Sequence, residues 1–131
     1  MKKKRIWVYI VAAIVIIIAG IGIAISSMIG NYRRQVDAMH IANVNLAEVP
    51  DGTYEGRCET LLVSADVRVT VKDHQIKEVE LVRHDNGKGA AAEVITDRIV
   101  EAQSLEVDIV SGATSSSKVI LKAIEDALTV D

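Results

Sequence analysis

The run Asp108-Ile109-Val110-Ser111-Gly112-Ala113-Thr114-Ser115-Ser116-Ser117 sets an acid, a glycine and five hydroxyl side chains within ten residues. It leads straight into Val119, Ile120, Ala123, Ile124, Ala127 and Leu128, whose spacing predicts an amphipathic helix. A helix start leaves its leading N–H groups unbonded and carries the positive end of the helix dipole. The junction is therefore suited to seat a phosphate. Gly112 permits a tight turn, and its small neighbours let a ligand come close. The everyday use of these residues is simpler, with Ser111 or Thr114 capping the helix. On spacing alone the cap is the commoner outcome.

Other chemistry is sparse. Asn86-Gly87-Lys88-Gly89 can form a backbone nest for phosphate or serve as an ordinary surface loop. The single cysteine, Cys58, reads as a small hydrophobe in a strand. One cysteine excludes an internal disulfide, a CxxC pair and a cysteine-ligated iron–sulfur cluster within one chain. His40, His74 and His84 show no i, i+4 spacing, and none adjoins Cys58, which argues against a metal site. No Ser has a His/Asp set at a suggestive spacing, so hydrolysis is unsupported.

Several elements must position the motif. Val63, Ala65, Val67, Val69 and Val71 alternate with Ser64, Asp66, Arg68, Thr70 and Lys72, predicting a strand with one buried and one wet face. Asp73-His74 is a turn, and Ile76–Arg83 is the return strand. Residues 90–102 are expected to form a helix with Ala91, Ile95, Ile99 and Ala102 in one stripe. A short strand over 106–110 is expected to lead into the motif. Strands, helix, strand, helix in that order predict an α+β domain with an antiparallel sheet and two helices. The domain has about 80 residues, is small for a self-sufficient core, and its only aromatic residue is Tyr54.

The 131-residue chain has room for one such domain, and its first third lies outside it. Met1-Lys2-Lys3-Lys4-Arg5 precedes an uncharged stretch from Ile6 to Tyr32. Residues 6–25, at ~1.5 Å per helical residue, span roughly 30 Å, the thickness of a bilayer's hydrocarbon core. Trp7 and Tyr9 near one end and Tyr32 near the other resemble aromatic belts. A cleaved signal peptide has a shorter apolar core and an Ala-x-Ala-like site. A retained transmembrane anchor is therefore expected. Four basic residues precede it, while Arg33 and Arg34 follow it, which favours a cytoplasmic N-terminus and an extracytoplasmic domain. Tyr32, Val36, Met39, Asn43 and Leu46 recur at 4-3-4-3 spacing, the pattern of a short coiled coil, so a helical connector is expected to run on from the membrane until Pro50-Asp51-Gly52.

The formal net charge of −3 conceals a polarity. Residues 49–131 hold nine Lys/Arg against sixteen Asp/Glu, a net of −7. That balance argues against nucleic acid and against lying flat on anionic lipid. It suits a basic protein partner, and equally it keeps a small domain soluble.

The string Asp-x-x-Ser-Gly-Ala-Thr-x-Ser resembles the flavinylation motif of the FMN-binding domain family. That family includes the covalent-FMN subunits of the sodium-translocating NADH:quinone oxidoreductase and of the Rnf complex, and small membrane-anchored electron carriers. Asp51–Gly56, Val67–Lys72 with Ile76–Val79, His84–Gly89, Ala102-Gln103-Ser104 and Val107-Asp108 also stand where the family has similar residues. The resemblance covers about residues 50–129. Asp73-His74 replaces a turn that is often Asp-Gly in the family.

The resemblance implies FMN as the cofactor, esterified through its phosphate to Thr114 by a dedicated flavin transferase. It implies a phosphate seat shaped by Ser111, Gly112, Ala113, Ser115, Ser116 and Ser117. Asp108 would be read by the transferase, and Asn86, Gly87 and Gly89 would make a second contact. The expected organisation is a cytoplasmic basic tip and transmembrane anchor over 1–29, a juxtamembrane helical connector over 30–49, and the FMN-binding domain over 50–131. The expected role is electron relay on the extracytoplasmic side of a bacterial cell membrane, with a redox protein or a quinone-linked membrane complex as partner. The alternatives are a non-redox, membrane-tethered flavin sensor or assembly subunit, and a small-substrate reductase, for which the chain has no proton-donor constellation.

Overall fold

The computed structural model describes residues 1–85 and 90–129 and divides into two units, 1–38 and 39–131. The first unit is one helix, α1 (Lys2–Asp37). It is long and apolar enough to cross a membrane, and the side chains of Trp7, Ile10, Ile14, Ile17, Ile21 and Ile25 are exposed along it.

The helical connector expected up to residue 49 ends earlier. α1 stops at Asp37, and a short 3-10 turn at Leu46–Glu48 is the next helical element. Beyond Ala38, asparagine side chains bond the backbone of a segment that is not helical. Asn43 Oδ1 accepts the amides of Val44 (3.0 Å) and, far along the chain, Leu105 (3.1 Å). Asn45 Oδ1 accepts the amide of Ala47 at 3.2 Å.

The second unit is built on an antiparallel sheet of β1 (Gly52–Glu59), β2 (Ser64–Lys72) and β3 (Gln75–Asp85), in that order. The alternation read in β2 holds from Ala65 onward, while Ser64, expected on the wet face, is buried and donates its hydroxyl to Asp85 Oδ2 at 3.2 Å. Ala65, Val67, Val69 and Val71 are buried, with Val63 just before them. Asp73 and His74 both take positive φ (54° and 59°), as a two-residue hairpin of type I′ requires. The Asp73 amide is held by Asp51 Oδ1 at 2.8 Å.

The helix expected over 90–102 comes in two parts, a 3-10 turn at Ala90–Val94 and α2 (Ile95–Ala102). Ala92, Ile95 and Ile99 are buried, whereas Ala91 and Ala102 are exposed. The 3-10 turn repeats every three residues, which brings Ala92 rather than Ala91 into line with Ile95. Gln103 follows in the left-handed conformation (φ 51°). Its side-chain amide substitutes for a strand neighbour: Oε1 accepts the Ile76 amide, and Nε2 donates to the Ile76 carbonyl, both at 2.8 Å.

The strand expected over 106–110 does not form. That segment runs beside α2 instead, where Arg98 Nη1 donates to the Asp108 carbonyl at 3.1 Å. A ladder needs a neighbouring strand edge, and this segment lies against a helix. The chain closes with α3 (Thr114–Leu128), which packs across β1 and β2. All six positions of its expected stripe are buried. Burying an Ile or Val of this kind contributes about 1.5–3 kcal/mol. β1 lies so close that a Cβ on Gly56 would stand 2.0 Å from the Ala123 carbonyl oxygen.

Candidate functional site

Two features make the junction before α3. The first is a turn, closed by the Ala113 amide donating to the Val110 carbonyl at 3.0 Å. Gly112 occupies its left-handed position at φ 81°, a conformation that L side chains rarely adopt. A Cβ there would meet nothing within 4 Å, so the space over the turn is open. The second feature is Ser117. Its Oγ accepts the Val110 amide at 3.1 Å, and its own amide donates to the Ala113 carbonyl at 2.9 Å.

The capping use of Ser111 or Thr114 is not taken up. The N-cap is Ala113, which has no side-chain oxygen, and the first turn carries no acidic residue. Thr114 is the first helical residue, and Ser115 and Ser116 follow it in the first turn. The leading amides of an α-helix have no partner within it. Here neither a cap nor a carboxylate of that turn offsets the positive dipole end.

Burial sorts the hydroxyls. Ser111 and Thr114 are exposed, together with Gly112, and Ser115 is half-buried. Ser116 and Ser117 are 2% and 0% exposed, and Ala113 is 7% exposed. Ser117 has both its hydroxyl and its amide engaged in holding the turn. Asp108 is exposed six residues ahead of Thr114, on the segment tied to Arg98. Asn86, Gly87 and Gly89 lie outside the described residues.

Two side chains make pairings that no motif in the sequence announces. His84, at the end of β3, is buried with Nδ1 3.1 Å from Glu93 Oε1. Gln103 clamps β3 as described. His84 reaches the 3-10 turn nine residues on, and Gln103 reaches back past α2 to a strand residue 27 positions away. Cys58 on β1 is half-buried. Burial pushes its thiol pKa up, Lys122 opposes that shift, and Asp126 adds to it.

An open turn, a bare first helical turn and an exposed hydroxyl at its first residue together suit a phosphate-bearing group. Donors and dipole point the same way, and Thr114 supplies an oxygen beside them.

Comparison with known proteins agrees with this chemistry. The sequence profile of the FMN-binding domain matches residues 64–129, about half of the chain and all of the motif. The chain is also 39% identical, over 85 residues, to an uncharacterized protein of Treponema pallidum (strain Nichols). The match takes in 63% of this chain and 24% of that protein, so the chain spans about a quarter of its relative's length.

Proposed function

The chain belongs to the FMN-binding domain family and takes FMN as its cofactor, and on that premise we propose that it is a membrane-anchored electron carrier with the flavin tethered to Thr114. When bound, FMN supplies reversible electron transfer, and the protein supplies position and electrostatics. The single observation that carries the tether is the placement of the Thr114 hydroxyl, exposed at the first position of an uncapped helix.

The residues divide the work. Thr114 Oγ forms the phosphoester: its P–O bond replaces the bond from phosphorus to the leaving group of the donor held by a flavin transferase, and the hydroxyl proton is lost. The amides of Thr114, Ser115 and Ser116 neutralise the remaining phosphate charge. Gly112 and Ser111 keep the approach open, and Ala113, Ser116 and Ser117 support the seat from the buried side. Asp108 serves the transferase. A carboxylate aimed at the phosphate would repel it, and Asp108 is separated from Thr114 by the whole turn.

α1 anchors the protein, with Lys2, Lys3, Lys4 and Arg5 holding the N-terminus in the cytoplasm. The domain then meets its redox partner, a protein or a quinone-linked membrane complex, on the other side. Its net charge of −7 favours a basic docking surface.

The decisive experiment is denaturing electrophoresis of the full chain made with an active flavin transferase. A fluorescent protein band is expected, because a covalent flavin survives denaturation. A dark band from such cells refutes the tether. Protease added to sealed right-side-out membranes should remove the domain, and its protection would reverse the orientation.

A further inference from the structure

Leu61 and Leu62 are the most exposed large apolar side chains among the described residues of 39–129, at 57% and 56%. They form the tip of the β1–β2 connection, and that tip is braced. The Thr60 amide and Oγ1 both donate to the Val63 carbonyl (2.8 and 2.7 Å), and the Val63 amide donates to Thr60 Oγ1 (3.2 Å). A turn closed three times over holds both leucines outward. Two adjacent leucines fixed in water are unfavourable unless something covers them.

Their place in the fold says what that is. β1 and α3 run antiparallel against each other. Gly56 sits on Ala123 and Ala127, and the Arg57 amide donates to Asp126 Oδ2 at 3.0 Å. Cys58 feels the charge of Lys122. From the Gly56 crossing, about 10 Å of strand leads to Glu59, two residues short of Leu61, and about 16 Å of helix leads back to Thr114. The leucine tip and the start of α3 therefore occupy the same end of the domain. Asp85 is there too, since it pairs with Ser64 at the start of β2.

We propose that Leu61 and Leu62 form an apolar wall against which the ring system of the FMN on Thr114 lies. The inference rests on the tether assigned to Thr114. The phosphate end is satisfied by polar groups at the helix start, while the flat aromatic end needs an apolar surface within reach. Ligand sites pair a few placed polar groups with apolar walls in this way. The two leucines exclude water from one ring face and orient the ring beside the sheet end.

The test uses the full chain, made with the flavin transferase and solubilised in detergent, in three forms: wild type, the double variant Leu61→Ser with Leu62→Ser, and Val82→Ser. Val82 is 51% exposed on β3 and serves as the matched control. Mass spectrometry of the Thr114 peptide reports the adduct, and iodide quenching of flavin fluorescence reports ring exposure. The adduct is expected in all three. The quenching constant should rise about twofold in the double variant, because uncovering one wall exposes the second of two ring faces, and should stay at the wild-type value in Val82→Ser. An adduct with unchanged quenching in the double variant overturns the wall alone, and so does an equal rise in Val82→Ser. Loss of self-association by the double variant, with quenching unchanged, assigns the leucines to a second copy of the chain and likewise overturns it. No adduct on wild-type Thr114 sinks the tether, and the wall with it.

Discussion

The Ser117 hydroxyl accepts the Val110 amide at 3.1 Å and so ties the entry of the Ser111-Gly112 turn to the first turns of α3. Ser117 is fully buried. Replacing it with Ala leaves the half-buried Val110 amide without its partner, a loss of about 1–3 kcal/mol. For a domain of this size each kcal/mol lowers Tm by about 4–8 °C. Thermal melting of Ser117→Ala should show a drop in that range, together with slower flavin attachment. An unchanged Tm would mean that the bond does not hold the turn.

Thr114→Val should abolish covalent flavin while leaving a folded, membrane-bound protein, because the residue is exposed and makes no side-chain cap. Thr114→Ser keeps the hydroxyl and should retain part of the labelling. The adduct should map to the peptide that contains Thr114. Persistence of the adduct in Thr114→Val would move the attachment to another hydroxyl, with exposed Ser111 the next candidate.

Gly56 lets β1 approach the backbone of α3 closely at Ala123 and Ala127. A Cβ at Gly56 would meet the Ala123 carbonyl oxygen at 2.0 Å, the Ala127 nitrogen at 2.5 Å and the Ala127 Cβ at 2.7 Å. Two of these atoms are helix backbone and cannot swing aside. Gly56→Ala should therefore cost at least the ~1–3 kcal/mol typical of overpacking. Denaturant unfolding would measure it, and wild-type stability in that variant would contradict the packing described here.

Cys58 carries a pH signature. Burial holds its thiol protonated above the ordinary thiol range. The folded chain thus binds this proton more tightly than the unfolded chain does. Its contribution to stability is complete at neutral pH and declines as pH rises through the thiol range. Maleimide labelling of the native protein at neutral pH should be slower than labelling of the denatured protein. Equal rates would show that the thiol is neither shielded nor shifted.

Local pattern was enough for the parts of this protein that depend on near neighbours. Alternation in Val63–Lys72 specified the buried face of β2, and the Val119–Leu128 stripe specified the buried face of α3. Asp73-His74 marked the hairpin, and the apolar run of Ile6–Tyr32 marked a helix able to span a bilayer. The motif itself was legible, because an acid, a glycine and hydroxyls ahead of an amphipathic stripe have one natural location, the start of a helix.

What the tertiary structure alone decided depends on residues far apart in sequence. Asn43 fixes the segment beyond α1 by accepting a hydrogen bond from the Leu105 amide, 62 residues away. Gln103 completes β3 at Ile76, 27 residues away. The 106–110 segment lost its strand because α2, not a strand edge, lies beside it. Among five hydroxyls of one motif, packing buried Ser116 and Ser117 and left Ser111 and Thr114 open. Periodicity encodes which way a side chain faces within its own element; which surface another element leaves uncovered is set only when the chain closes on itself.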